Sequence, residues 1–247
     1  MREARELLET IARARRVFVL TGAGVSTPSG IPDFRGKGGV YERLSPEVFD
    51  IETFLRDPSF FYRQAGPLLR VILEAKPNPA HFFLAELERR GRISLVATQN
   101  IDGLHQRAGS KRVVELHGTL ERAHCLKCGR EFSREDYIQE ALQGKVPLCP
   151  CGGVIKPDVV FFGEPLPVMA LYRAIEAASD SDLCLVMGSS LMVSPASTLP
   201  QYTLAYGGKL VIINLGETPL DHLAHRKYEV PVEEISSAAL SLLRAEG

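Results

Sequence analysis

Six short apolar runs punctuate the chain, each rich in Val, Ile, Leu or Phe and each closed by glycine or polar residues. They are VFVLTGAG from Val17, SLVATQNID from Ser94, VVELHG from Val113, VVFFGE from Val159, LCLVMGSS from Leu183 and LVIINLGE from Leu210. Unbroken apolar runs, as opposed to alternating ones, suit parallel strands covered on both faces. Helical spacing falls between several of them. NPAHFFLAELERRG has apolar residues near a period of 3.6 and closes on Gly91. Ser194 followed by Pro195 predicts an N-cap with Pro at the first helical position, and Pro231 opens PVEEISSAALSLLRAE in the same way. The alternation predicts an α/β fold with a doubly wound parallel sheet. Two stretches break the pattern: residues 35–78, with Phe-rich helical pieces, and residues 120–156, which hold most of the cysteines. Both read as inserts forming a smaller domain. The sheet domain is then expected to comprise residues 1–34, 79–119 and 157–247.

In an open parallel sheet the carboxyl ends of the strands form one rim, and ligands bind there. Polar residues gather at those ends. Gly22, Gly24, Asn100, Asp102, His117, Glu164, Ser189, Ser190, Asn214 and Glu217 are therefore expected to face one crevice.

Composition narrows the class. The 247 residues are 45% hydrophobic and 24% charged, with a net charge of -1. That charge offers no global attraction for nucleic acid or an anionic membrane, so neither is expected as a partner. The N-terminal MREARELLETIARARRV is charged and helix-periodic and lacks a signal peptide's apolar core, so a cytoplasmic location is expected.

Four of the five cysteines form two pairs: Cys125 and Cys128, then Cys149 and Cys151 after twenty intervening residues. Four thiolates on two tight turns complete a tetrahedral Zn²⁺ and leave no open coordination position, so the site is structural. Redox-active thiols are the rival reading. The second pair has one intervening residue where two is commoner. His124 reads as a bystander, and Cys184 in DLCLVMG as a small buried hydrophobe.

VFVLTGAGVSTPSGIPDFRG opens like a dinucleotide-binding turn, with Gly22, Ala23 and Gly24 permitting close approach to a pyrophosphate. Thr27 occupies the third glycine position, and Pro28, Gly30 and Pro32 interrupt the expected helix. A stiff loop bearing Asp33, Phe34 and Arg35 suggests a lid over the cofactor's reactive end. A ligand-free strand-to-loop turn would look similar up to Gly24. His117, in ELHG, stands at a strand's carboxyl end and is a candidate general base, though a histidine that merely caps a loop would look the same locally. His81 and His105 sit in helical patterns, and His222 and His225 in a polar loop.

Taken together, GAGVSTPSGIPDFRG, TQNIDGLHQRAG, ELHG, the four cysteines, VVFFGE, GSSLMVSPA and INLGETP resemble the sirtuin (Sir2-like) family of NAD-dependent protein deacylases, in its single-core bacterial or archaeal form. The resemblance spans residues 20–219. It implies a Rossmann-like NAD domain beside a smaller zinc-ribbon and helical domain, with NAD and acyl-lysine meeting between them. Gly22, Ala23 and Gly24 are implied to lie against the pyrophosphate with Asp33 and Arg35 near, and Phe34 to shield the reactive ribose carbon. Gln99, Asn100 and Asp102 are implied at the ribose, with Ile101 and Asp102 at the nicotinamide amide. Gly188, Ser189, Ser190, Asn214, Leu215 and Glu217 are implied along the adenosine, flanked by Lys227 and Tyr228. Val159, Val160, Phe161, Phe162, Gly163 and Val193 are implied to border the acyl-lysine peptide and pair with it as an added strand.

The implied chemistry consumes NAD. The acyl oxygen attacks the ribose as nicotinamide leaves, Asn100 and Asp102 orient the reactants, and His117 deprotonates a ribose hydroxyl. The products are nicotinamide, lysine and 2′-O-acyl-ADP-ribose. Relatives that prefer succinyl carry Tyr-x-x-Arg where this chain aligns Ala65 and Leu68, so an acetyl or longer uncharged acyl group is expected. An ordinary NAD oxidoreductase is disfavoured by Thr27 and by the lack of an acidic residue ending a second strand. Two rival functions stay open on sequence grounds. One is protein ADP-ribosylation by the same bond cleavage, and the other is a zinc-ribbon adaptor for nucleic acid or protein.

Overall fold

The computed structural model describes residues 1–34, 36 and 38–245. Helix α1 (Arg2–Arg13) buries Ala4, Leu7 and Ile11 along one stripe and leads into β1 (Val17–Thr21), every residue of which is buried. Short helices α2 (Val40–Arg43) and α3 (Ile51–Arg56) precede the long α4 (Pro58–Glu74). Helix α5 (Pro79–Arg89) is capped by Asn78, whose side chain accepts from the Ala80 N–H at 2.9 Å, while His81 Nδ1 accepts from the Asn78 N–H at 3.2 Å. This is a capping box with histidine in the place usually held by Glu or Gln. Then come β2 (Ile93–Thr98), α6 (Leu104–Arg107), β3 (Val113–Glu115), β4 (Gly118–Cys125), β5 (Glu131–Ser133), α7 (Arg134–Leu142) and β6 (Ile155–Val159). The chain ends with α8 (Val168–Ser179), β7 (Leu183–Met187), α9 (Leu199–Ala205), β8 (Lys209–Ile213), β9 (Arg226–Tyr228) and α10 (Val232–Ala245). Among the described residues no helix is long and apolar enough to cross a membrane.

The larger sheet has the order β3-β2-β1-β7-β8-β9 and is parallel throughout. Strand order reverses between β1 and β7, which is where such sheets open a ligand crevice. Alternate residues of these apolar strands feed two cores. Val17, Val19 and Leu185 face the cluster that includes Leu7, Phe83 and Ile235, while Phe18, Leu20 and Val186 face Ala174, Ala178 and Leu199. A third core packs Phe54, Tyr62 and Tyr137 of α3, α4 and α7 with Ile155 and Phe161, against the antiparallel sheet β5-β4-β6. The smaller unit is thus a helical layer on a short sheet, joined to the six-stranded sheet at its rim.

Two sequence expectations are corrected. VVFFGE is not a strand of the parallel sheet. Its Val159 ends β6, which pairs with β4 because Gly118, at φ +77°, brings its backbone against the Asp158 carbonyl where a Cβ could not fit. Glu164 accordingly sits off the six-stranded rim. The sixth strand is β9, drawn from the polar segment after His225, with Ile213 paired to Tyr228. The helix expected from Ser194–Pro195 also starts later. Ala196–Thr198 form a 3₁₀ turn, held by Thr198 Oγ1 donating to the Pro195 carbonyl at 2.8 Å, and α9 follows with Pro200 in its first turn.

At the switch point two glycine turns nearly touch. A Cβ on Gly188, at φ +60°, would lie 2.4 Å from the Val25 nitrogen, and one on Gly22 would lie 2.7 Å from the Gly188 carbonyl oxygen. Gly188→Ala is expected to cost at least ~2 kcal/mol, lowering Tm by ~4–8 °C in thermal unfolding. Gly207→Ala, at φ +81° with no atom near its Cβ position, is the control and should cost less than half as much.

Candidate active site

The carboxyl ends of β1, β2, β7 and β8 are stitched into one surface. Gly22 donates its N–H to the Met187 carbonyl at 3.1 Å, Gly24 to Gly188 at 2.9 Å, and Gly188 to Ile213 at 2.9 Å. Gln99 Nε2 donates to Ser189 Oγ at 2.8 Å, and Asn100 Nδ2 to the Gly22 carbonyl at 3.1 Å. Among the described residues the N–H groups of Ala23, Ser189 and Ser190 have no intramolecular acceptor. Backbone donors left over on two converging glycine turns suit a pyrophosphate, and the missing Cβ atoms are what let the two turns meet.

A buried polar network lies beneath this rim. Ser26 Oγ donates to Asp102 Oδ2 at 2.7 Å and accepts from Asn100 Nδ2 at 3.0 Å. Because His81 Nδ1 is an acceptor for Asn78, its proton is on Nε2, which faces Ser26 Oγ at 3.4 Å. Both lone pairs and the proton of one hydroxyl are thereby used. Asp102 Oδ1 accepts the Leu104 N–H at 2.9 Å. Burial pushes the Asp102 carboxyl up, and the Leu104 and Ser26 donors oppose that shift. His105 Nε2 meets Thr21 Oγ1 at 2.9 Å, and Thr21 in turn bonds Thr98 Oγ1 at 2.9 Å. Burial, reinforced by Arg107, lowers His81 to about 4; burial also drives His105 far below the ordinary value, with His81 adding to the effect. Both rings are neutral parts of the scaffold. Sequence patterning gives Ser26, His81 and His105 no role in the site. Its one signal is a histidine at the third helical position after Asn78-Pro79.

His117 follows β3 and is half-buried. Its Nδ1 lies 2.9 Å from the Gln99 carbonyl oxygen, which can only accept, so Nδ1 carries the proton and Nε2 keeps a lone pair. Burial lowers its pKa, and the Gln99 hydrogen bond partly offsets this. The His117 carbonyl accepts the Val160 N–H at 2.9 Å, tying it to the stretch Val159–Gly163. There, Phe162 donates to Phe49 and accepts from Ile51, while the Val160 carbonyl and both backbone groups of Gly163 have no partner among the described residues. Phe161 is buried and Phe162 exposed. The turn is pinned by Lys156, whose side chain is 3% exposed: its ammonium lies 2.9 Å from Glu164 Oε2 and 4.4 Å from the Phe161 ring centroid. Glu164 Oε2 also accepts the Phe161 N–H at 2.8 Å.

In the lid, Asp33 folds the loop on itself. Its Oδ1 accepts the Gly36 N–H at 2.8 Å and its carbonyl the Val40 N–H at 2.7 Å. Phe34 is 38% exposed and leans on Tyr41 and Phe49, with centroids at 5.5 and 6.3 Å. Arg35 lies outside the described residues. A cavity of about 450 Å³ behind the lid is lined by Ile31, Pro32, Val40, Leu44 and Leu68 among others. Leu68 reaches it, whereas Ala65 is enclosed in the core of the smaller unit. Toward the far end, Asn214 Nδ2 donates to the Gly216 carbonyl at 3.0 Å, and Leu215 and Glu217 are exposed. Lys227 Nζ is held by Asp221 at 2.7 Å. The Tyr228 ring is packed in the core beside α10, so at this position only backbone reaches the rim. Val193, of the GSSLMVSPA segment, is half-buried.

The four cysteine sulfurs all lie within 4.8 Å of one another, with Cys125–Cys151 at 3.5 Å and Cys128–Cys149 at 3.7 Å. A tetrahedral zinc with ~2.3 Å bonds needs sulfurs ~3.8 Å apart. The set fits a structural zinc. Gly153 is required beside it, since a Cβ there would lie 2.5 Å from Cys125 Sγ. His124 turns away, its Nδ1 2.7 Å from Asp158.

With this geometry in place, the Sir2 family model matches residues 22–195. The NAD-dependent protein deacetylase of Thermotoga maritima is 51% identical over 94% of this chain and 95% of its own. The chain belongs to the Sir2 family. A solved Sir2 variant with deacetylated p53 peptide and 3′-O-acetyl ADP ribose matches at TM-score 0.92 and 49% identity, covering 96% of this chain and 97% of that one. A Sir2–p53 peptide–NAD⁺ complex matches at TM-score 0.90 and 49% identity, with the same coverage. In this Sir2 chain the six-stranded sheet, the small antiparallel sheet and the four-cysteine cluster make up the Rossmann-like and zinc-ribbon architecture. Stripping the zinc with a strong chelator, or Cys149→Ala, is expected to lower Tm and raise hydrogen exchange across β4–β6 while the parallel sheet stays protected. Uniform loss of protection in both sheets would contradict a local structural role.

Proposed function

We propose that the chain is an NAD-dependent protein lysine deacetylase that moves the acyl group of an acyl-lysine substrate onto ADP-ribose and releases nicotinamide. The observation that carries this is His117, its tautomer fixed by the Gln99 carbonyl so that a bare Nε2 is available in the same rim as Asn100 and Asp102. The two solved Sir2 complexes, one with NAD⁺ and p53 peptide and one with 3′-O-acetyl ADP ribose, agree with that chemistry. NAD supplies, when bound, a ribose–nicotinamide bond whose cleavage drives acyl transfer.

In this reading the chain's own residues take the following roles. The free N–H groups of Ala23, Ser189 and Ser190 bind the anionic pyrophosphate, with Gly22, Gly24 and Gly188 letting the two turns that carry them meet. Asn214, Leu215, Glu217 and Lys227 border the adenosine end. Asn100 and Asp102, locked through Ser26, orient the reactive end, with Gln99 and Ile101 beside them. Phe34 and the loop that carries Asp33 and Arg35 exclude water, which protects a reactive ribosyl centre. His117 Nε2 accepts a proton and is neutral at pH 7 because burial disfavours its cation. The Val160 carbonyl and Gly163 offer backbone groups to an extended peptide held between Val159–Gly163 and Val193. Leu68 gives the lid cavity part of its apolar wall, and neither aligned position, Ala65 or Leu68, offers a polar group to a succinyl carboxylate, although the exposed Arg43 also lines the cavity. The division into residues 1–34, 79–119 and 157–247 against 35–78 and 120–156 follows the same architecture, with β6 bridging the two. A cytoplasmic, reducing environment suits four thiols that must reach zinc as thiolates.

The kcat/KM–pH profile tests the base. A His with lowered pKa stays deprotonated below pH 6.5, so activity should be flat from pH 8 down past 6.5 and fall only as pH drops through the depressed value. An acid limb above pH 7 would contradict it. His117→Ala should cut kcat at least ~10²-fold with NAD affinity retained. Mass spectrometry on acetyl-, propionyl- and succinyl-lysine peptides with NAD should show acyl loss for the first two and little for succinyl. An ADP-ribose adduct on the protein without acyl loss would favour ADP-ribosyl transfer instead.

A further inference from the structure

At the opposite end of the parallel sheet from the active site, the starts of β1, β2 and β3 and the last turns of α8 enclose a second concavity of about 460 Å³. Its lining carries five guanidinium groups, Arg15, Arg16, Arg92, Arg112 and Arg173, against two carboxylates, Glu176 and Asp180. Four separate segments supply these arginines, so the accumulation is a product of folding and not of one basic run. Only part of this charge is spent inside the protein. Arg16 pairs with Asp180 at 3.1 Å, and Arg15 lies 3.8 Å from Asp182, whose carboxylate already accepts the Arg15 and Arg16 backbone N–H groups. Arg112 makes one long contact, 3.5 Å, to the Ile93 carbonyl. Among the described residues Arg92 and Arg173 have no ion-pair or hydrogen-bond partner for their guanidinium groups. In a chain of net charge -1, this is a concentrated excess of positive charge in a cup of small-ligand size.

We propose that this concavity is a binding site for a small polyvalent phosphate anion, separate from the NAD crevice. Planar guanidinium forks match phosphate oxygens in pairs, and like-charged arginines held together lose their mutual repulsion when such an anion binds. Among the described residues the lining holds no aromatic side chain, so a nucleobase would meet only the guanidinium planes that the phosphates already claim, and the phosphates carry the recognition. A free oligophosphate and the tail of a nucleoside triphosphate therefore share this chemistry.

The test is calorimetric titration of tripolyphosphate into the full chain at low and moderate salt. Binding with 1:1 stoichiometry, weakened by salt, is expected. Arg92→Gln combined with Arg173→Gln should weaken it at least 10-fold while Tm and NAD affinity stay at wild-type values. ATP should bind within about 3-fold of tripolyphosphate. Unchanged tripolyphosphate affinity in the double variant, or displacement of the anion by NAD at concentrations that only fill the crevice, would overturn the proposal. ATP binding far tighter than tripolyphosphate would overturn the claim that phosphate alone is recognised.

Discussion

The structure depends on how closely two backbone turns approach at the centre of the parallel sheet. The Gly22–Gly24 turn after β1 and the Gly188 turn after β7 meet with no side chain between them, and a Cβ at Gly22, Gly24 or Gly188 would lie only 2.7, 2.9 or 2.4 Å from the opposing turn and force the two apart. That contact allows Gln99 to reach Ser189 and Asn100 to reach the Gly22 carbonyl. Among the described residues it also leaves the N–H groups of Ala23, Ser189 and Ser190 without internal partners. The binding surface is thus the exposed side of a packing solution, and its shape is as rigid as the sheet that supports it.

Beneath that surface, reactive-end geometry is fixed by a hydroxyl. Ser26 donates to Asp102 and accepts from Asn100 and the neutral His81 ring, so a displacement of any one strains the other two. The energetic stake is high because the network is buried: a polar atom left unpaired there costs ~1–3 kcal/mol. Neutral His81 and His105 suit this role, since they supply directional hydrogen bonds without bringing a charge into the core.

Much of this is legible in the sequence. The apolar runs locate β1, β2, β7 and β8, because a parallel strand buried on both faces leaves an unbroken signature, and VVELHG also marks β3, although that edge strand is only part-buried. The paired cysteines locate the metal set, because ligand spacing is local chemistry. VVFFGE misleads because it is apolar for another reason: Phe161 belongs to the core of the smaller unit and Val159 ends an antiparallel strand. Strand β9 escapes because an edge strand of three residues, Arg226–Tyr228, needs only one apolar side chain. Ser26 and the two buried histidines cannot be read because their partners lie 55 to 84 residues away. Lys156 resembles any surface lysine until its carboxylate, ring and carbonyl partners close around it.

Strand β6 has a consequence beyond its five residues. One end pairs Ile155 with Cys125, of the four-cysteine cluster, and the other pairs Val159 with Gly118, next to His117, the proposed base. Lys156, between them, clamps the turn that follows through its ion pair with Glu164. At ~3.3 Å per residue, a single extended segment runs from the cysteine cluster to the backbone beside His117. An ion held by the four cysteines then acts as an anchor bolt: far from the rim of the parallel sheet, it sets by its firmness how taut the Val159–Gly163 stretch is held.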